Sequence, residues 1–152
     1  MKTTIVPGVG FDNLKFGMSE EEVVDMLGKP DEIEVQEMED EELMNIYYYD
    51  ELGVSVSFDS MADFRLVEMA FDDSRYTMEK NFFPGMSKQL FIEHAEELGD
   101  FEVEDLADED ADVTGLYVFE EKNINVWIKD GVVDTIQIGP FWKDDENVAW
   151  PE

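Results

Sequence analysis

The sequence predicts an α+β domain in which two similar helix-plus-three-strand repeats form a mostly antiparallel sheet with the helices on one side. Three observations predict it. An aromatic residue followed closely by Gly-Met-Ser occurs twice, at Phe16-Gly17-Met18-Ser19 and within Phe82-Phe83-Pro84-Gly85-Met86-Ser87. Each copy opens an amphipathic stretch that ends in Leu-Gly, at Leu27-Gly28 and at Leu98-Gly99. Each then runs through an acidic stretch into segments that alternate apolar and polar residues, as strands with one wet face do. The 152 residues suit one domain, 1–152, with repeat one over about 11–73 and repeat two over about 80–140. Neither half buries much alone, so a shared sheet or a joint core is expected.

The first helix is expected to start at Ser19. Its hydroxyl can cap the helix, Glu22 three residues on completes a capping box, and the acids at 20–22 suit the positive end of the helix dipole. Val23, Val24 and Leu27 form the inward stripe, and Gly28 followed by Pro30 stops the helix. In the second copy Ser87 caps, Phe91, Ala95 and Leu98 make the stripe, and Gly99 ends it. This copy is three residues longer between Ser and Gly, about one turn, which preserves the apolar face. It lacks the capping box, because Leu90 stands where Glu22 would.

Asp31 to Glu42 holds eight acids in twelve residues, and Glu93 to Asp112 holds eleven in twenty, with no Lys or Arg in either. After the first come three runs: Ile46–Tyr49, Val54–Phe58 and Leu66–Phe71. After the second come Leu116–Phe119, Ile124–Ile128 and Val132–Ile138, the last two joined by the hairpin signal Lys129-Asp130-Gly131. Of the consecutive Tyr47, Tyr48 and Tyr49, at least one must face away from its neighbours.

The motif Phe16-Gly17-Met18-Ser19, Glu22-Val23, Leu27-Gly28-Lys29-Pro30, followed by a three-stranded meander, resembles the small α+β repeat of the beta-lactamase inhibitor protein family. It is also similar to the small outer-membrane assembly lipoproteins of the SmpA/OmlA type. The resemblance implies a tandem-repeat, inhibitor-like fold that offers a protein-binding sheet or loop surface and has no active site. This chain departs from it in lacking a proline after Gly99. Those families are typically exported, whereas this chain shows neither a signal-peptide pattern nor a cysteine for a lipid anchor. Inhibition of beta-lactamase is therefore not carried over.

Charge restricts the partners. With 40 Asp and Glu against 10 Lys and Arg, the net charge of −30 repels phosphate backbones and anionic membranes, so no direct nucleic-acid or membrane binding is expected. The attractive partner is basic. At 43% apolar residues the chain is too hydrophobic for a disordered acidic tail, and without cysteine it has no disulfides and no thiolate metal site. A cytoplasmic, soluble protein follows as the working expectation.

No catalytic motif stands out, and neither an enzyme activity nor a cofactor is expected. Asp108, Asp110 and Asp112 occupy positions 1, 3 and 5 of a possible calcium loop, but Val113 and Phe119 stand where Gly and Glu are needed, so no metal is assigned. The single histidine, His94, flanks the stripe of the second helix and reads as a partnered surface residue.

The leading expectation is an acidic inhibitor of the immunity-protein type, neutralising a basic toxin, a nuclease being one possibility. Glu37, Glu39, Asp40, Glu41 and Glu42 from one acidic stretch, and Glu104, Asp105, Asp108, Glu109, Asp110 and Asp112 from the other, would steer the partner; Tyr48 would be an aromatic anchor. The alternatives are a DNA mimic that blocks a restriction, CRISPR or other DNA-binding enzyme, and a housekeeping protein acidic for solubility. The mimic depends on conformation. Eight charges in twelve residues sit about 2 Å apart along a helix but about 5 Å apart when extended, against about 1.7 Å in duplex DNA.

Overall fold

The computed structural model describes residues 3–12, 14–78, 82–105, 113–142 and 148–149. The first half contains β1 (Thr3–Val6), β2 (Gly10–Phe11), β3 (Leu14–Lys15), α1 (Glu20–Leu27), β4 (Glu32–Glu37), β5 (Leu43–Tyr49), β6 (Val54–Asp59) and β7 (Arg65–Phe71). After β8 (Tyr76–Thr77) and α2 (Lys88–His94) come β9 (Glu102–Asp105), β10 (Val113–Phe119), β11 (Ile124–Lys129) and β12 (Val132–Ile138). A small ribbon of β13 (Phe141–Trp142) and β14 (Val148–Ala149) closes the described chain.

The α+β expectation of helix-plus-three-strand repeats is overturned, because the protein is mostly β. One eight-stranded sheet has the order β4-β5-β6-β7-β12-β11-β10-β9, and a second sheet has the order β3-β2-β1-β8. Two features drive the difference. Each acidic stretch contributes a strand of its own, β4 or β9, so each half gives four strands to the large sheet. The N-terminal segment, which lies outside both expected repeats, pairs with β8 through Thr3↔Tyr76 and Thr4↔Thr77. The helices are minor elements of eight and seven residues, and the second passes into a 3-10 turn at Ala95–Leu98.

The large sheet is antiparallel throughout, and its halves meet where β7 pairs with β12 through Phe71↔Ile136, Ala70↔Gln137 and Met69↔Ile138. Its inner face carries the core. In β11 every second residue, Ile124, Val126 and Ile128, is fully buried. Both seam strands break this period. The register against β6 skips Val67, and the register of β12 against β11 skips Asp134, so each strand carries a bulge. The extra residue lets Leu66 and Met69, and likewise Val133 and Ile136, face inward although they lie three apart.

The helices start where the sequence places them, but they dock by different chemistry. Ser19 accepts from the Glu22 amide at 3.2 Å and Glu22 accepts from the Ser19 amide at 3.1 Å, completing the box. Glu20 then receives Tyr47 Oη and Asn45 Nδ2, both at 2.8 Å, and Tyr49 Oη donates to the Gly28 carbonyl at 2.9 Å, so α1 is tied to β5 at both ends. Helix α2, capped by Ser87, is held instead by rings: Phe91 lies edge-on to Phe82 at 5.8 Å and to Tyr117 at 5.0 Å. The second sheet joins the same core through Phe11, edge-on to Phe71 at 5.5 Å and to Tyr76 at 5.3 Å.

Candidate protein-binding surface

Among the described residues strand β4 is an edge of the large sheet, paired only with β5 in continuous register from Glu32↔Tyr48 to Glu37↔Leu43. All six of its residues are exposed. Because side chains alternate, Glu32 and Glu34 share the outer face with Tyr48, while Ile33 and Val35 lie on the core-side face, 54% and 58% exposed. At its end, Glu37 leads through Met38 into a 3-10 turn over Glu39–Glu41, closed by the Met38 amide donating to the Glu42 carbonyl at 2.7 Å. Glu37, Met38, Glu39 and Glu42 line an open depression of about 670 Å³. Five sequence-predicted residues, Glu37, Glu39, Asp40, Glu41 and Glu42, thus belong to one hairpin end.

The second predicted group lies elsewhere. Glu104 is exposed on β9 and Asp105 ends that strand, whereas Asp108, Glu109, Asp110 and Asp112 lie outside the described residues. Strand β9 is the opposite edge of the sheet, seven strand spacings from β4, or about 34 Å measured along the sheet. The fold therefore sets Glu104 and Asp105 at the opposite edge of the sheet from the hairpin end at 37–42. A depression of about 320 Å³ beside β9 is lined by Asp100, Phe101, Glu102, Val118, Glu120 and Glu121.

Between the edges, the outer face forms a continuous row in register: Glu32, Tyr48, Ser55, Ala70, Gln137, Asn125, Val118 and Glu102. Tyr48 is half-buried and donates its hydroxyl to Glu34 Oε2 at 2.9 Å; burial, with that bond and the Glu34 charge, raises its pKa. Tyr47 and Tyr49 point the other way, into the core. Near the seam, Asn125 Nδ2 donates to Gln137 Oε1 at 3.2 Å and Gln137 bonds to Glu68. Burial holds the Glu68 carboxyl above its usual range, partly offset by that bond. A further depression of about 370 Å³ lies over the ends of β5 to β7, with Tyr48, Asp50, Ser55, Asp72 and Thr135 in its lining. Burial, then the charges of Asp134 and Asp73, raise the Asp72 pKa. Negative charge at this end of the outer face thus has an electrostatic cost that a cationic group would relieve.

Sequence reasoning missed Glu32, Ile33, Glu34 and Val35 as a strand, although their alternation was present. It treated the whole run as charge. It also missed Glu68 and Asp72, which no local pattern marks. His94 is an exposed partner of Glu97, with Nδ1 and Oε2 3.0 Å apart. Among the described residues no group of three His, Asp or Glu side chains is placed to hold a metal ion, and no helix is long and apolar enough to cross a membrane.

Neither the curated proteins nor the solved structures give a match to this chain. Residues 10–96, from β2 into the turn after α2, match the model of a domain of unknown function, DUF7738. The match covers more than half of the 152 residues, and the chain belongs to the DUF7738 family.

Proposed function

We propose that this protein is an acidic protein-binding inhibitor, a cytoplasmic immunity protein that occludes the basic face of a toxin, with a nuclease as the favoured class. One observation carries the reading: no Lys or Arg occurs between Pro30 and Phe64, the stretch that forms β4, β5 and β6. Three adjacent strands and their turns thus hold only negative charge, with Glu32, Glu34, Glu37, Glu39 and Glu41 exposed. Such a field speeds the encounter with a cationic surface, and apolar side chains within it supply contact area. Inhibition requires no chemistry of the inhibitor's own.

The DNA-mimic reading has less support. Glu32 and Glu34 lie on an extended strand, where same-face charges repeat only every 6.6 Å or so, far sparser than duplex phosphates. Solubility alone accounts for total charge but not for the exposed apolar pair Ile33 and Val35 set among the acids of β4.

The test is to express the chain with the product of each adjacent reading frame and to measure inhibition and association rate against ionic strength. The expected result is one cationic partner whose association rate falls by about tenfold or more between low and physiological salt. Glutamine at Glu37, Glu39, Glu41 and Glu42 together should slow association without changing the fold. A partner that binds with no dependence on salt, or on those four residues, would overturn the proposal.

A further inference from the structure

We propose that β4 is the docking edge, taking up as a ninth strand an extended segment of the partner in which Lys or Arg alternates with apolar residues. The inference rests on the basic-partner reading and adds where and in what conformation the partner binds.

A sheet edge presents a row of unpaired N–H and C=O groups, and proteins commonly blunt such edges with lysine, proline, a bulge or a covering element. Strand β4 is blunted by exposed Glu32, Glu34 and Glu37 against neutral or acidic strands but not against a cationic one. Its sequence, Glu-Ile-Glu-Val-Gln-Glu, has no lysine or proline, its register against β5 has no shift, and among the described residues no strand pairs with its outer side. The opposite edge, β9, is shorter, four residues against six.

The two faces of β4 define what fits. An added strand continues the pleat, so its alternate side chains fall beside Glu32 and Glu34 on one face and beside Ile33 and Val35 on the other. Cations match the first pair and apolar side chains the second. A helix would leave the edge amides and carbonyls unmatched. A second copy of this chain is disfavoured by charge: pairing two β4 strands sets glutamates against glutamates between bodies of −30 each.

The experiment uses the full chain and two blocked eight-residue peptides of equal composition. One alternates lysine with valine; the other groups the lysines in one block. Amide hydrogen exchange is followed residue by residue at low salt. The alternating peptide should slow exchange within 32–37 by about tenfold or more and leave 102–105 unchanged, and E32K/E34K should weaken its binding about tenfold. The block peptide should protect no part of β4. Equal protection by both peptides, protection confined to the outer face or to β9, or no binding of the alternating peptide would each overturn the docking edge. A toxin that binds E32K/E34K as tightly as the wild type would also overturn it, while leaving the inhibitor reading intact. Protection at β4 without any toxin partner would support the edge and count against the immunity role alone.

Discussion

Alkaline pH tests the packing of two tyrosines. Tyr47 and Tyr76 are 8% and 2% exposed, and their hydroxyls donate to Glu20 Oε2 at 2.8 Å and to the Leu52 carbonyl at 2.6 Å. Burial pushes both pKa values from 10.0 up to about 12; at Tyr47 the bond to Glu20 adds to it. The unfolded chain ionises near pH 10 while the native chain still holds the proton. The stability these rings contribute is therefore complete below pH 10 and is lost as pH rises through about 12. Two pH units set a ceiling of about 3 kcal/mol for each ring, which solvent screening lowers. Tyr47→Phe removes one charge-assisted hydrogen bond and should cost about 1.5 kcal/mol at pH 8. The same variant has no proton to lose. Stability from urea unfolding, measured from pH 8 to 12, should show the wild-type and Tyr47→Phe curves crossing at about pH 11. Parallel curves over the whole range would refute the reasoning, since Tyr47 would then ionise equally in both states.

Other outcomes follow from the same structure. Ser19→Ala removes half of a reciprocal box, and Ser87→Ala removes a single bond; each should cost about 1 kcal/mol in chemical denaturation, with Ser19→Ala the larger. Burial raises the folded pKa of Glu68, so its ionisation costs stability as pH rises above the unfolded value of 4.5. Glu68→Gln should therefore stabilise the protein at pH 7 by about 1 kcal/mol more than the exposed control Glu21→Gln, and the gap should close below pH 4.5. Thermal scans should show a rising midpoint between about 0.02 and 0.5 M NaCl, because screening relieves the self-repulsion of a −30 chain. A midpoint that falls would mean that attractive ion pairs dominate instead.

Local signals were the legible ones. Ser19, Glu22 and Gly28 specify the bounds of α1 through hydrogen bonds that span four residues or fewer, so they act wherever the helix is placed. The alternation in Ile124–Ile128 marks a strand for the same reason. Charge density obscured β4: eight acids in twelve residues read as a solvated stretch, although Ile33 and Val35 keep a period of two. The spacing of Leu66 and Met69 reads as irregular until the bulge at Val67 explains it.

For the site, the sequence by itself determined that Lys and Arg are absent from 31–64 and from 89–121. Composition along a chain needs no coordinates. Only the tertiary structure decided that the two acidic strands occupy opposite edges of one sheet, because that order depends on β7 pairing with β12. This contact joins residues more than sixty positions apart and leaves no local pattern. The same pairing placed Glu68 beside Gln137 and left β4 at the rim, hydrogen-bonded on one side to β5 and, among the described residues, to no strand on the other.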